Sequence, residues 1–120
     1  MLKPGKKLKI AIVEDDLAML SMISDFLTLQ GHRILEFTHP EHLLSQWIDD
    51  LDFIISDFHL PGLTGIELIQ RVKLKAPHLP IIVSTAFANE SLEASALAAG
   101  AKVVLKKPFK LSELVGALHF

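Results

Sequence analysis

Four short apolar runs in this chain each deliver a polar or charged residue of the kind that handles phosphate and metal ions. Lys9 to Val13 runs into Glu14, Asp15 and Asp16, Phe53 to Ser56 into Asp57, Pro80 to Ser84 into Thr85, and Lys102 to Leu105 into Lys106 and Lys107. Successive carboxylates repel one another, by about 4 kcal/mol for a pair about 4 Å apart at an effective dielectric of about 20. A hard divalent cation relieves that repulsion, and Mg2+ takes one or two carboxylates together with water and phosphate oxygens. Glu14 and Asp15 are the candidates for this role, whereas Asp16 has the type and place of a helix N-cap. Beside such a cluster Asp57 offers a carboxylate nucleophile of the sort that forms an aspartyl phosphate. Thr85 supplies a hydroxyl and Lys107 a point charge for phosphoryl oxygens. Each residue alone also has a structural reading: an Asp starts a loop, a Thr suits a strand, and a Lys is solvated.

What must position them is a set of strands ending on one edge. Ile10 to Val13, Phe53 to Ile55, Ile81 to Val83 and Val103 to Leu105 are continuous apolar runs rich in β-branched residues, the pattern of strands buried on both faces. Ile34 to Phe37 is a more mixed fifth run. Helical spacing fills the gaps: about Asp16 to Gln30 with Leu20, Ile23 and Leu27 on one face, then a segment from Pro40 carrying Leu43, Leu44, Trp47 and Ile48. Further helices are expected over about Gly65 to Lys75, Asn89 to Ala99 and Leu111 to Leu118. Strand then helix, five times over, predicts an α/β fold with a parallel sheet between helical layers, because parallel strands need crossover connections. In a parallel sheet all strands end at the same edge, so the four polar endings converge.

Composition narrows the function classes. The 120 residues suit a single domain, 1–120, and half of them are hydrophobic, enough for one filled core. The chain ends at Phe120, which suits a natural end or the edge of an output domain. With 12 basic and 14 acidic residues there is no charge excess to announce nucleic acid or an anionic membrane. The absence of cysteine excludes disulfides, thiolate chemistry and Cys-type zinc sites. Lys3, Lys6, Lys7 and Lys9 precede an apolar run that is too short for a signal peptide. A cytoplasmic protein is expected. His32, His39, His42, His78 and His119 read as surface residues.

The order IVEDD, ISDFHLPGLTG, IIVSTA and KKPF resembles the receiver domain of two-component response regulators, from about Lys9 to Leu118. Any one motif is weak, but four in this order and spacing are specific. The resemblance implies a flavodoxin-like (βα)5 sandwich with strand order 2-1-3-4-5 and its ligand edge at the carboxyl ends of the strands. It implies that Asp57 accepts a phosphoryl group from a sensor histidine kinase or phosphotransfer protein. Asp15, Asp57 and the main-chain carbonyl of His59 would hold Mg2+ or Mn2+, with Glu14 acting through water. Thr85 and Lys107 would bind the phosphoryl oxygens, and the bond from Lys107 to Pro108 would be cis. Such a domain is a switch rather than an enzyme, and its output would pass through the fourth helix, fifth strand and fifth helix to a downstream domain or protein.

Two departures bear on regulation rather than on chemistry. Val104 stands where a Tyr or Phe commonly swings inward, and valine has no ring to swing. Phe87 and His59 occupy positions that in this family flank the path of the hydrolytic water, where a bulky Phe87 would favour a long-lived phosphoryl group. Other functions fit less well. A haloacid-dehalogenase-type phosphatase needs a second Asp where His59 stands, and a flavodoxin-type FMN carrier needs a phosphate loop where three acids stand. A receiver that works without phosphorylation remains a third reading.

Overall fold

The computed structural model describes residues 7–118. Its elements are β1 (Lys9–Val13), α1 (Leu17–Leu29), β2 (Arg33–Phe37), α2 (Pro40–Ser45), β3 (Phe53–Asp57), α3 (Gly65–Lys75), β4 (Ile81–Thr85), α4 (Glu90–Ala99), β5 (Val103–Lys106) and α5 (Leu111–Ala117). All five strands pair in parallel, in the order β2-β1-β3-β4-β5. This is the flavodoxin-like arrangement, with the strand order reversing between β1 and β3. Loops leaving those two strands part toward opposite faces, which opens a crevice at their carboxyl ends.

Side-chain alternation along each strand feeds two cores. Val13, Ile54, Ile81 and Val83 face Leu43 of α2, Leu68, Ile69 and Val72 of α3, and Ala96 of α4. Ile10, Ile12, Ile55, Ile82 and Leu105 face Leu20, Ile23 and Leu27 of α1 and Leu114 of α5. The strands β1, β3 and β4 are buried along almost their whole length, as their unbroken apolar runs require. Helix starts are fixed by local chemistry. Asp16 Oδ1 accepts from the amides of Ala18 and Met19, and Thr64 and Glu67 form a reciprocal capping box. Among the described residues no helix is long and apolar enough to cross a membrane.

Two expectations need correction. The second helix stops at Ser45, so Trp47 and Ile48 lie beyond it, partly buried against the same core. The Ser45 hydroxyl donates back to the His42 carbonyl at 3.2 Å, a local bond that competes with the helical ladder, and Gln46 has left helical geometry. His32 is not a surface residue. It is 5% exposed, and its Nδ1 accepts the Leu8 amide at 3.1 Å. Gly31, at φ +98°, turns the chain after α1 and brings His32 under the amino end of the sheet. His39, His42 and His78 are exposed, and His119 lies outside the described residues.

Candidate functional site

Every polar ending of the four runs reaches the carboxyl edge of the sheet. Glu14 follows β1 and is almost fully buried, its amide donating to the Phe37 carbonyl at 2.9 Å. Its Oε2 accepts the Asp16 amide at 3.2 Å, which turns the carboxylate back over the end of its own strand. Asp57 ends β3 at 9% exposure, and its Oδ1 accepts the His59 amide at 3.2 Å. Lys107 leaves β5 with its amide on the Thr85 carbonyl, and the Lys107 to Pro108 bond is cis, as the resemblance implies. Its ammonium then lies 2.7 Å from Glu14 Oε1 and 3.3 Å from Asp57 Oδ2. Lys106 is exposed, so of the two lysines it is Lys107 that meets the carboxylates.

The electrostatics follow from that crowding. Burial raises the Glu14 carboxyl above its ordinary value, and the nearby Asp57 charge adds to this, while the Lys107 hydrogen bond pulls the other way. Burial opposes the charge on Lys107, but its bonds to Glu14 and its attraction to Asp57 outweigh it and hold the ammonium above its ordinary value. Glu14, Asp15 and Asp57 each offer a carboxylate oxygen within 4.8 Å of the others. One lysine meets two of these three carboxylates. The surplus of negative charge suits a hard divalent cation with oxygen ligands.

Around this centre, Thr85 is wholly buried and its Oγ1 accepts the Phe87 amide at 3.0 Å. Phe87 and His59 lie on the loops after β4 and β3, both exposed, with their rings 5.2 Å apart and edge to face. Val104 does not join them. It sits mid-strand in β5 opposite Val83 and packs, half-buried, against the core under α4. Reading the sequence missed two features here. One is the direct Glu14 to Lys107 contact, which spans 93 positions and has no local signal. The other is Phe58, whose ring lies where a side chain on Gly65 would stand, so a glycine must open α3.

The family model of the response regulator receiver domain matches residues 10–119. The chain belongs to the receiver-domain family. It is 32% identical over 108 residues to the response regulator protein FleR of Pseudomonas aeruginosa, covering 89% of this chain and 23% of that protein. It is 38% identical over 112 residues to the phosphate regulon transcriptional regulatory protein PhoB of Rhizobium meliloti, covering 89% of this chain and 48% of that one. This receiver domain thus spans less than half the length of either relative. Among solved structures, a putative response regulator from Chloroflexus aurantiacus is 32% identical with a TM-score of 0.85, covering 94% of this chain and 98% of that one. The BeF3-activated receiver domain of DrrB is 26% identical with a TM-score of 0.86, covering 92% and 93%. Receiver domains are signalling switches of two-component systems.

Proposed function

We propose that Asp57 accepts a phosphoryl group from the phosphohistidine of a sensor kinase or phosphotransfer protein. In that transfer the bond from phosphorus to the donor nitrogen breaks, and a bond from phosphorus to an Asp57 carboxylate oxygen forms. The observation that carries this reading is the Lys107 ammonium bridging Glu14 and Asp57 at a point where three carboxylates converge. Asp15, Asp57 and the His59 carbonyl, with Glu14 through water, would hold Mg2+ or Mn2+. The bound cation would neutralise charge on the incoming phosphoryl group. Lys107 then turns from Glu14 toward a phosphoryl oxygen, and the Thr85 hydroxyl donates to another.

The Thr85 move has a consequence for output. Turning its hydroxyl to phosphate costs the loop after β4 the bond from the Phe87 amide, so residues 86–89 are released. Val104 offers no ring to follow that hydroxyl, so in this chain the signal to α4, β5 and α5 runs through the loop rather than through an aromatic switch. Phe87, standing at the mouth, hinders the water that would hydrolyse the acyl phosphate. Decay of the phosphorylated chain should therefore be slow and should change in Phe87→Glu; an unchanged decay rate would remove Phe87 from this role.

The central test is incubation of the chain with Mg2+ and acetyl phosphate, followed by intact mass. The parent should gain one phosphoryl group and Asp57→Asn none. No gain by the parent, or equal gain by the variant, overturns the proposal.

A further inference from the structure

One peptide unit beside the site is pinned at both of its polar ends. It joins Asp57 to Phe58, where β3 gives way to its loop. Its carbonyl, that of Asp57, accepts the Ser56 hydroxyl at 2.9 Å, and its N–H, that of Phe58, donates to the Ser84 carbonyl at 2.8 Å. The carbonyl and N–H of one peptide unit share a plane and turn together. Held at both, the plane cannot rock about either bond.

Ser56 is 1% exposed in a strand that otherwise brings Phe53, Ile54 and Ile55 to this point, so a valine or isoleucine there would simply continue the apolar run. A buried hydroxyl costs stability unless it is bonded. The bond it makes here goes to the residue that carries the carboxylate at the centre of the site. The next amide along, that of His59, donates to Asp57 Oδ1 at 3.2 Å, so the set of the carboxylate and the course of the loop both depend on how the pinned plane lies.

We infer that Ser56 is a positioning residue for the cation centre: by fixing the Asp57 carbonyl, its hydroxyl holds the Asp57 carboxylate and the His59 main chain in the relation that Mg2+ requires. This rests on the reading of Asp15, Asp57 and the His59 carbonyl as cation ligands. Mg2+ demands near-ideal octahedral geometry at short range, so a small rotation of two of its ligands weakens binding. Ser56 acts through that plane and touches neither the cation nor the phosphoryl group.

The experiment follows Mg2+ binding to the full chain by amide NMR shifts, with no phosphodonor, in the parent, Ser56→Ala and Ser56→Thr. Ser56→Ala removes only the donor and should raise the Mg2+ dissociation constant about fivefold, what one net hydrogen bond is worth. Ser56→Thr returns the hydroxyl on a residue that suits a strand, and should bind Mg2+ as the parent does. Hydrogen exchange locates the cause. The Phe58 amide should exchange faster in Ser56→Ala, whereas the Ile54 amide, bonded to the Pro80 carbonyl at the other end of the same strand pair, should exchange as in the parent. An unchanged Mg2+ affinity in Ser56→Ala, or an equal loss in both variants, overturns the inference and leaves the cation site standing, because a hydroxyl that only supports the strand would not set the affinity. A parent that binds no Mg2+ overturns both.

Discussion

The two edges of the sheet use ionisable groups in opposite ways. At the amino edge four such groups tie down main chain. Lys73 Nζ donates to the Leu79 carbonyl at 2.8 Å, Lys102 Nζ to the Ala117 carbonyl at 2.7 Å, and Asp52 and His32 accept the amides of Lys9 and Leu8. At the carboxyl edge the groups face one another: Lys107, Glu14 and Asp57 are mutual partners, and the carboxylates outnumber the ammonium. The first arrangement completes hydrogen bonds that the fold would otherwise leave unmade. The second leaves charge uncompensated, which is a cost in the unliganded fold and a gain once a cation and a phosphoryl group arrive. Stability is built at one edge and withheld at the other.

The largest effect should come from removing the lysine that meets the carboxylates at the carboxyl edge. Lys107→Met strands the buried Glu14 carboxylate beside Asp57 and should cost about 3 kcal/mol at neutral pH without divalent cation, the lower end for a buried pair broken on one side. Urea unfolding measures this, and adding Mg2+ should narrow the deficit, because a cation bound to Asp15 and Asp57 replaces part of the lost charge. A deficit that Mg2+ leaves untouched would mean that the acidic cluster binds no cation.

At the opposite edge His32→Leu keeps the volume but leaves the buried Leu8 amide without an acceptor, at a cost of about 2 kcal/mol. Phosphorylation of Asp57 by acetyl phosphate should be unaffected. A slowed reaction would mean that the two edges are coupled through the sheet.

Acid should separate the edges by sign. Burial lowers the His32 imidazole below its ordinary value of 6.5, so between that value and its folded one the unfolded chain takes up a proton that the folded chain refuses. Stability therefore falls as pH drops below 6.5. Glu14 does the reverse. Its folded value lies above 4.5, so in the window just above 4.5 the folded chain takes up the proton first and acid relieves the carboxyl edge. Unfolding midpoints measured across pH should lose the first slope in His32→Gln and the second in Glu14→Gln.

How far these contrasts could be read from the chain itself depends on how local their causes are. The strands announced themselves as β-branched apolar runs, and parallel pairing then carries Glu14, Asp57, Thr85 and Lys107 to one edge without further information. The strand order came from the motif resemblance rather than from periodicity. His32 could not be read because its burial depends on the positive φ at Gly31 and on an amide 24 positions earlier. The end of α2 was hidden for a similar reason. Leu43, Leu44, Trp47 and Ile48 keep helical spacing, yet the last two reach the core from a loop. Hydrophobic spacing records which residues are buried, not always the backbone that buries them.

The smallest effect should come from Lys102, whose ammonium caps the last turn of α5 and lies 5.5 Å from the centre of the buried Phe53 ring. Burial lowers its ordinary value, so the charge is held at some cost, and the carbonyl it serves belongs to a helix of only seven residues. Lys102→Met keeps the apolar stem and removes the donor. The expected loss is about 0.5–1 kcal/mol, the range for a charge at a helix C-terminus. The change should be local, since the Leu118 amide is held by the Val115 carbonyl at the end of the same turn. Hydrogen exchange at Leu118 should quicken in the variant while the amides of β1 exchange as in the parent. Faster exchange in β1 as well would show that the Lys102 cap supports the whole amino edge and not just the end of one helix.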